Sequence, residues 1–128
     1  MKYFLLASLL SIAVLLVACG AGHPRLTSIA VSPSSATAAS SPQGQVGFTA
    51  TGTFTDRTSR ELHLADGLEW KSSNTVDATI DDTGEATCLA PGSVTITATA
   101  PADLQIAVSS AVQNTSPKVS GSAMLNCT

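Results

Sequence analysis

Residues 94–100 read Val-Thr-Ile-Thr-Ala-Thr-Ala, apolar or small alternating with hydroxyl side chains without a break. Such a run suits an extended strand with one face buried and one face wet, because only a strand places residues i, i+2 and i+4 on the same side. Weaker versions of the same period recur along the chain. Ile29 and Val31 alternate with polar or small neighbours before Pro33, and Val46, Phe48, Ala50 and Phe54 share one face opposite threonines. Leu68 and Trp70 follow, then Val76, Ala78 and Ile80, and a strand over 85–90 stops at Pro91-Gly92. Turn-forming residues punctuate these runs: Asp66-Gly67, Ser72-Ser73-Asn74, and Asp82-Thr83-Gly84, a hairpin turn that calls for glycine at positive φ. Two weaker strands are expected at 104–108 and 119–127. No stretch after the first 18 residues carries a helical apolar period with caps. The pattern predicts an all-β fold, an antiparallel sandwich of about seven to eight short strands.

The first 18 residues are set apart from that body. Lys2 is a short positive segment, and Phe4 to Ala18 is an apolar run interrupted only by Ser8 and Ser11. As a helix it would span roughly 22 Å, short of the ~30 Å hydrocarbon core, so it reads as a cleaved export signal. Leu16-Val17-Ala18-Cys19 at its end resembles the lipobox of bacterial lipoproteins. That resemblance implies cleavage before Cys19, a diacylglyceryl group on its thiol and a fatty acyl chain such as palmitate on its new amino group. Two or more chains hold a protein at a membrane where one does so only marginally. Gly20 rather than Asp follows the cysteine, which by resemblance to Gram-negative lipoproteins implies the outer membrane, facing the periplasm or the outside.

The expected organisation is a signal peptide over 1–18, a lipidated tether over 19–25 and a sandwich over 26–128. The processed chain keeps five basic against nine acidic residues, a formal charge of −4. That excludes the basic patches nucleic acid needs and leaves membrane attachment to the lipid. Its aromatic residues are Phe48, Phe54 and Trp70 alone, so the core is built mainly from aliphatic residues and a covalent staple would matter. With Cys19 committed to lipid, Cys88 and Cys127 remain in a compartment that permits disulfides, and they most simply pair with each other.

Residues 26–100 resemble the bacterial immunoglobulin-like domain, group 2. The resemblance rests on Leu26-Thr27-Ser28-Ile29-Ala30-Val31-Ser32-Pro33, on Phe48-Thr49-Ala50-Thr51-Gly52-Thr53-Phe54 and on Trp70-Lys71-Ser72-Ser73-Asn74. Ala78-Thr79-Ile80 with Gly84, then Ala90-Pro91-Gly92 and Ile96-Thr97-Ala98, complete the order. It implies an Ig-like β-sandwich of the kind found in intimin- and invasin-like adhesins. Residues 101–128 lie beyond the family's usual last strand and are expected to be stapled on by the disulfide, covering a sheet edge.

Little in the chain points to catalysis. No G-x-S-x-G frames a nucleophile, and neither His23 nor His63 has partners at metal-ligand spacing. Asp77, Asp81, Asp82 and Glu85 cluster around one hairpin and could be weighed as Ca²⁺ ligands, but alternation puts Asp77 and Asp81 on the solvent face, and a solvated turn is the expectation. Trp70 shares a strand face with Leu68 and is expected in the core rather than as a sugar platform. The expected function is a non-catalytic Ig-like module, monomeric and without cofactor or metal, held at the cell envelope by its lipid. It would bind an envelope protein or polysaccharide, or dock as an accessory subunit on a larger complex. The expected contact surface is a polar loop over 56–66, away from Cys19, where Arg57, Arg60, Glu61 and His63 concentrate.

Overall fold

The computed structural model describes residues 22–104 and 114–128. The leader, Cys19 and all but the first residue of the strand expected over 104–108 lie outside the described residues. The described residues form ten strands: β1 (Leu26–Ser32), β2 (Ser35–Ala38), β3 (Gln45–Gly47), β4 (Thr49–Phe54), β5 (Ser59–Leu62), β6 (Glu69–Ser72), β7 (Ala78–Ile80), β8 (Glu85–Cys88), β9 (Gly92–Pro101) and β10 (Lys118–Cys127). This exceeds the seven or eight expected. One reason is that the run over 45–54 is two strands that pair with different neighbours on one side. Another is that Ser59–Leu62, read as loop, is a strand.

The strands make an all-β sandwich. One layer holds β1-β4-β5 and, continued through the β3–β4 run, β3-β8-β7; the other is β2-β10-β9-β6. Every neighbouring pair is antiparallel except β2 with β10, which is parallel. Alternation explains the core directly. Val94, Ile96, Ala98 and Ala100 of β9 are buried, and Thr95, Thr97 and Thr99 face out or sit half-buried. Phe48, Leu62, Ile96 and Leu125 are the largest of the fully buried side chains. Among the described residues no charged or polar side chain is buried, so the apolar core holds none that would need a compensating partner there.

The C-terminal segment, β10, is part of the sandwich, covering the side of β9 that would otherwise be free. It goes further than expected by lying inside its sheet, paired with β9 from Lys118↔Pro101 to Cys127↔Gly92 and on its other side with β2 from Met124↔Ser35 to Cys127↔Ala38. The edge is β2. Gly121 allows this placement, because a side chain there would collide with the Ile29 carbonyl of β1. Buried Ala123, Leu125 and Cys127 fill the core side of β10. Cys88 of β8 and Cys127 of β10 form a disulfide, with Cα atoms 5.6 Å apart, and since the two strands belong to opposite layers the bond joins the two sheets. Both sulfurs' residues are buried.

Candidate binding site

The layer containing β4 has an opening, and its cause is local. β3 pairs with β8 as far as Gly47↔Glu85, and the Phe48 N–H then donates to the Gly84 carbonyl at 2.8 Å. On the same side β4 pairs with β5, starting at Ala50↔Leu62. The run over 45–54 therefore changes partner at Phe48–Thr49, and between the end of β5 and the β7–β8 turn the sheet is not continuous. A cleft of about 260 Å³ occupies that gap. Its floor is apolar: Phe48, Leu62, Leu68 and Trp70. Its rim carries Glu61, His63 and Leu64 from one side and Asp82 and Thr83 from the other.

Two turns frame the rim. The β7–β8 turn is held by Asp81, whose carboxylate accepts the Thr83 and Glu85 N–H groups at 2.9 and 3.0 Å and the Thr83 hydroxyl at 2.7 Å. The Thr83 hydroxyl bond, then the backbone bonds, hold the Asp81 carboxyl below its usual range. Gly84 closes the turn at φ +88°, lying against the Trp70 indole. On the other side a single 3₁₀ turn over Leu64–Asp66 ends at Gly67, at φ +80°. The His63 N–H donates to the Asp66 carboxylate at 2.9 Å.

The four residues expected to form one contact surface are not brought together. Arg57 sits at φ +68° in the β4–β5 turn. That turn is not remote from the tether: the Thr55 N–H donates to the Arg25 carbonyl at 2.9 Å, and the Arg25 N–H donates to the Thr55 hydroxyl at 3.1 Å. Arg60 is committed to structure. It makes a two-pronged pair with Asp66 at 2.7 and 2.9 Å and lies 5.5 Å from the Phe54 ring centre. The hydrogen bond from Arg60 leads the causes that lower the Asp66 carboxyl. Only Glu61 and His63 reach the cleft. Alternation along β5 separates Glu61 from Arg60, since successive residues point to opposite faces.

Leu64, within the expected 56–66 stretch, also lines the cleft, and Trp70, Asp82 and Thr83, which were not anticipated there, complete it. Trp70 packs on the core, as expected, and is half-buried there. The opening above it is the reason. Among the described residues no group of three or more His, Cys, Asp or Glu side chains is close enough together to hold a metal ion. Asp77 instead accepts a hydrogen bond from the Asn74 side-chain amide at 2.8 Å.

Comparison with known families matches the bacterial Ig-like domain (group 2) over residues 25–110. No curated protein matches the chain. The matched span covers β1 to β9 and carries the Trp70 strand and the β7–β8 turn, while β10, which joins β2 to β9 in the second layer, lies beyond it. The chain belongs to the bacterial Ig-like domain family, group 2.

Proposed function

We propose that this chain is a lipid-anchored, non-catalytic binding module of the cell envelope. A bacterial Ig-like domain fits a binding or adhesion role, and the leader ending in Leu16-Val17-Ala18-Cys19 supplies the anchor. The observation that carries the reading is how soon the folded body begins. The Arg25 backbone is bonded to Thr55, and His23 Nε2 lies 2.7 Å from the Asp103 carboxylate. Between Cys19 and Arg25 there are six residue steps, about 20 Å of chain at full extension. A lipid on Cys19 therefore holds the sandwich close to the membrane, with the β4–β5 turn at the near end.

The test is fractionation of cells making wild-type protein or Cys19→Ser. Wild type is expected in the membrane fraction and the variant in the soluble fraction. Equal membrane retention of both would remove the anchor from the reading.

A further inference from the structure

Of the carboxylates on the described residues, most are spoken for within the fold. Asp56 accepts from Thr58, Asp66 from Arg60, Asp77 from Asn74 and Asp81 from Thr83; Asp103 pairs with His23, and Glu69 lies 3.7 Å from Lys118. Three have no hydrogen-bond or ion-pair partner among the described residues: Glu61, Asp82 and Glu85. Two of those three stand on opposite sides of the Trp70 cleft. The cleft is therefore an apolar depression with one uncompensated negative charge on each side of its mouth.

What such a depression accepts follows from where its polar groups are. The floor, made by Phe48, Leu62, Leu68 and Trp70, has no side-chain acceptor, and the indole N–H is its one side-chain donor, so a group that is apolar at its tip suits it best. A sugar ring carries hydroxyls around its whole edge, and those turned toward the leucine and phenylalanine walls would lose water and gain no partner. A lysine entering head first would carry its ammonium past the carboxylates into the apolar floor, which is equally unfavourable. An aromatic or aliphatic side chain fills the floor at no such cost. Cationic groups beside it, held at the surface, then meet Glu61 and Asp82. Leu64, 60 % exposed at the rim, extends the apolar contact beyond the mouth. An apolar anchor in a pocket with a polar surround is the usual energetic centre of a protein interface.

We infer that the Trp70 cleft is a docking site for a partner polypeptide that inserts one large apolar side chain flanked by lysine or arginine. This rests on the binding-module reading and names the partner's chemistry. The charge pairs at the rim set the partner's identity and orientation more than its affinity.

Trp70 is the only tryptophan in the chain, so its fluorescence reports the floor of the cleft. The full-length protein in detergent micelles is titrated with acetyl-Lys-Phe-Lys-amide, with its Glu-Phe-Glu and Lys-Ser-Lys counterparts, and with the N-acetylglucosamine trimer. Lys-Phe-Lys is expected to give a saturable change at a midpoint about tenfold below that of Glu-Phe-Glu. Lys-Ser-Lys and the trisaccharide are expected to give none. The double variant Glu61→Gln, Asp82→Asn alters two exposed side chains and no core contact. It should keep the wild-type circular dichroism and thermal midpoint while the preference for lysine over glutamate falls to under about twofold. Equal midpoints for the two charged peptides would overturn the proposal. So would a saturable response to the trisaccharide, or no saturable response to Lys-Phe-Lys. None of those results touches the membrane fractionation, so the docking site can fail while the anchored module stands.

Discussion

Gly84 lies against Trp70: a Cβ built on Gly84 would stand 3.1 Å from the indole Cζ2 and would collide with the Phe48 carbonyl oxygen. The same glycine sits at φ +88° and accepts the Phe48 N–H at 2.8 Å. One residue thus ends the β3–β8 ladder, turns the hairpin and forms a wall against the cleft's tryptophan.

Gly84→Ala is expected to destabilise the domain by about 3 kcal/mol, combining a left-handed backbone penalty with a clash against backbone that cannot yield. Thermal denaturation should show a midpoint lowered by about 10 °C or more. A variant melting with wild type would mean that the turn is free to move off Trp70.

The Cys88–Cys127 bond closes a loop of 39 residues and should contribute roughly 4 kcal/mol by constraining the unfolded chain. Reduction is expected to move the denaturant midpoint down by a corresponding amount. Identical midpoints with and without reductant, in protein shown to be oxidised at the start, would refute the staple.

Much of the fold was legible because its signal is local. The alternation in β9 and the turn at Asp82-Thr83-Gly84 needed only neighbouring residues to be read. β5 was not legible, since Ser59-Arg60-Glu61-Leu62 offers a single apolar side chain and its strand character comes from pairing with β4. The interior place of β10 depends on Gly121 passing Ile29, a contact between distant parts of the chain. The candidate site divides the same way. Glu61 and His63 stood out as polar residues beside Arg57 and Arg60. Only the fold separates the two pairs, by committing Arg60 to Asp66 and carrying Arg57 to the tether end. Asp82 joins Glu61 through a break in a sheet, which no spacing in the sequence encodes.

Acid should weaken the surface turns before it touches the core. Asp66 has its carboxyl lowered first by the Arg60 hydrogen bond, with the His63 N–H and the nearby charges adding to it. Asp56 and Asp81 are lowered first by their threonine hydroxyl bonds. A carboxyl lowered in the folded state binds protons less readily than in the unfolded chain. Its contribution is therefore fully present above the ordinary Asp value of about 3.9 and is lost as pH falls through the lower folded value. Stability measured by denaturant at pH 7 and below pH 4 should fall in wild type. Asp66→Asn should cost about 1 kcal/mol at pH 7 and show a shallower fall, having already lost the pair. A parallel pH profile in the variant would show that the Arg60–Asp66 pair contributes nothing.

The most direct test of a lipid-anchored Ig-like module is mass spectrometry of the N-terminal peptide from protein purified out of the envelope. The prediction is a chain beginning at Cys19, with a diacylglyceryl thioether and an acylated amino group. An N-terminal peptide that begins anywhere else, or begins at Cys19 with no lipid, would contradict it.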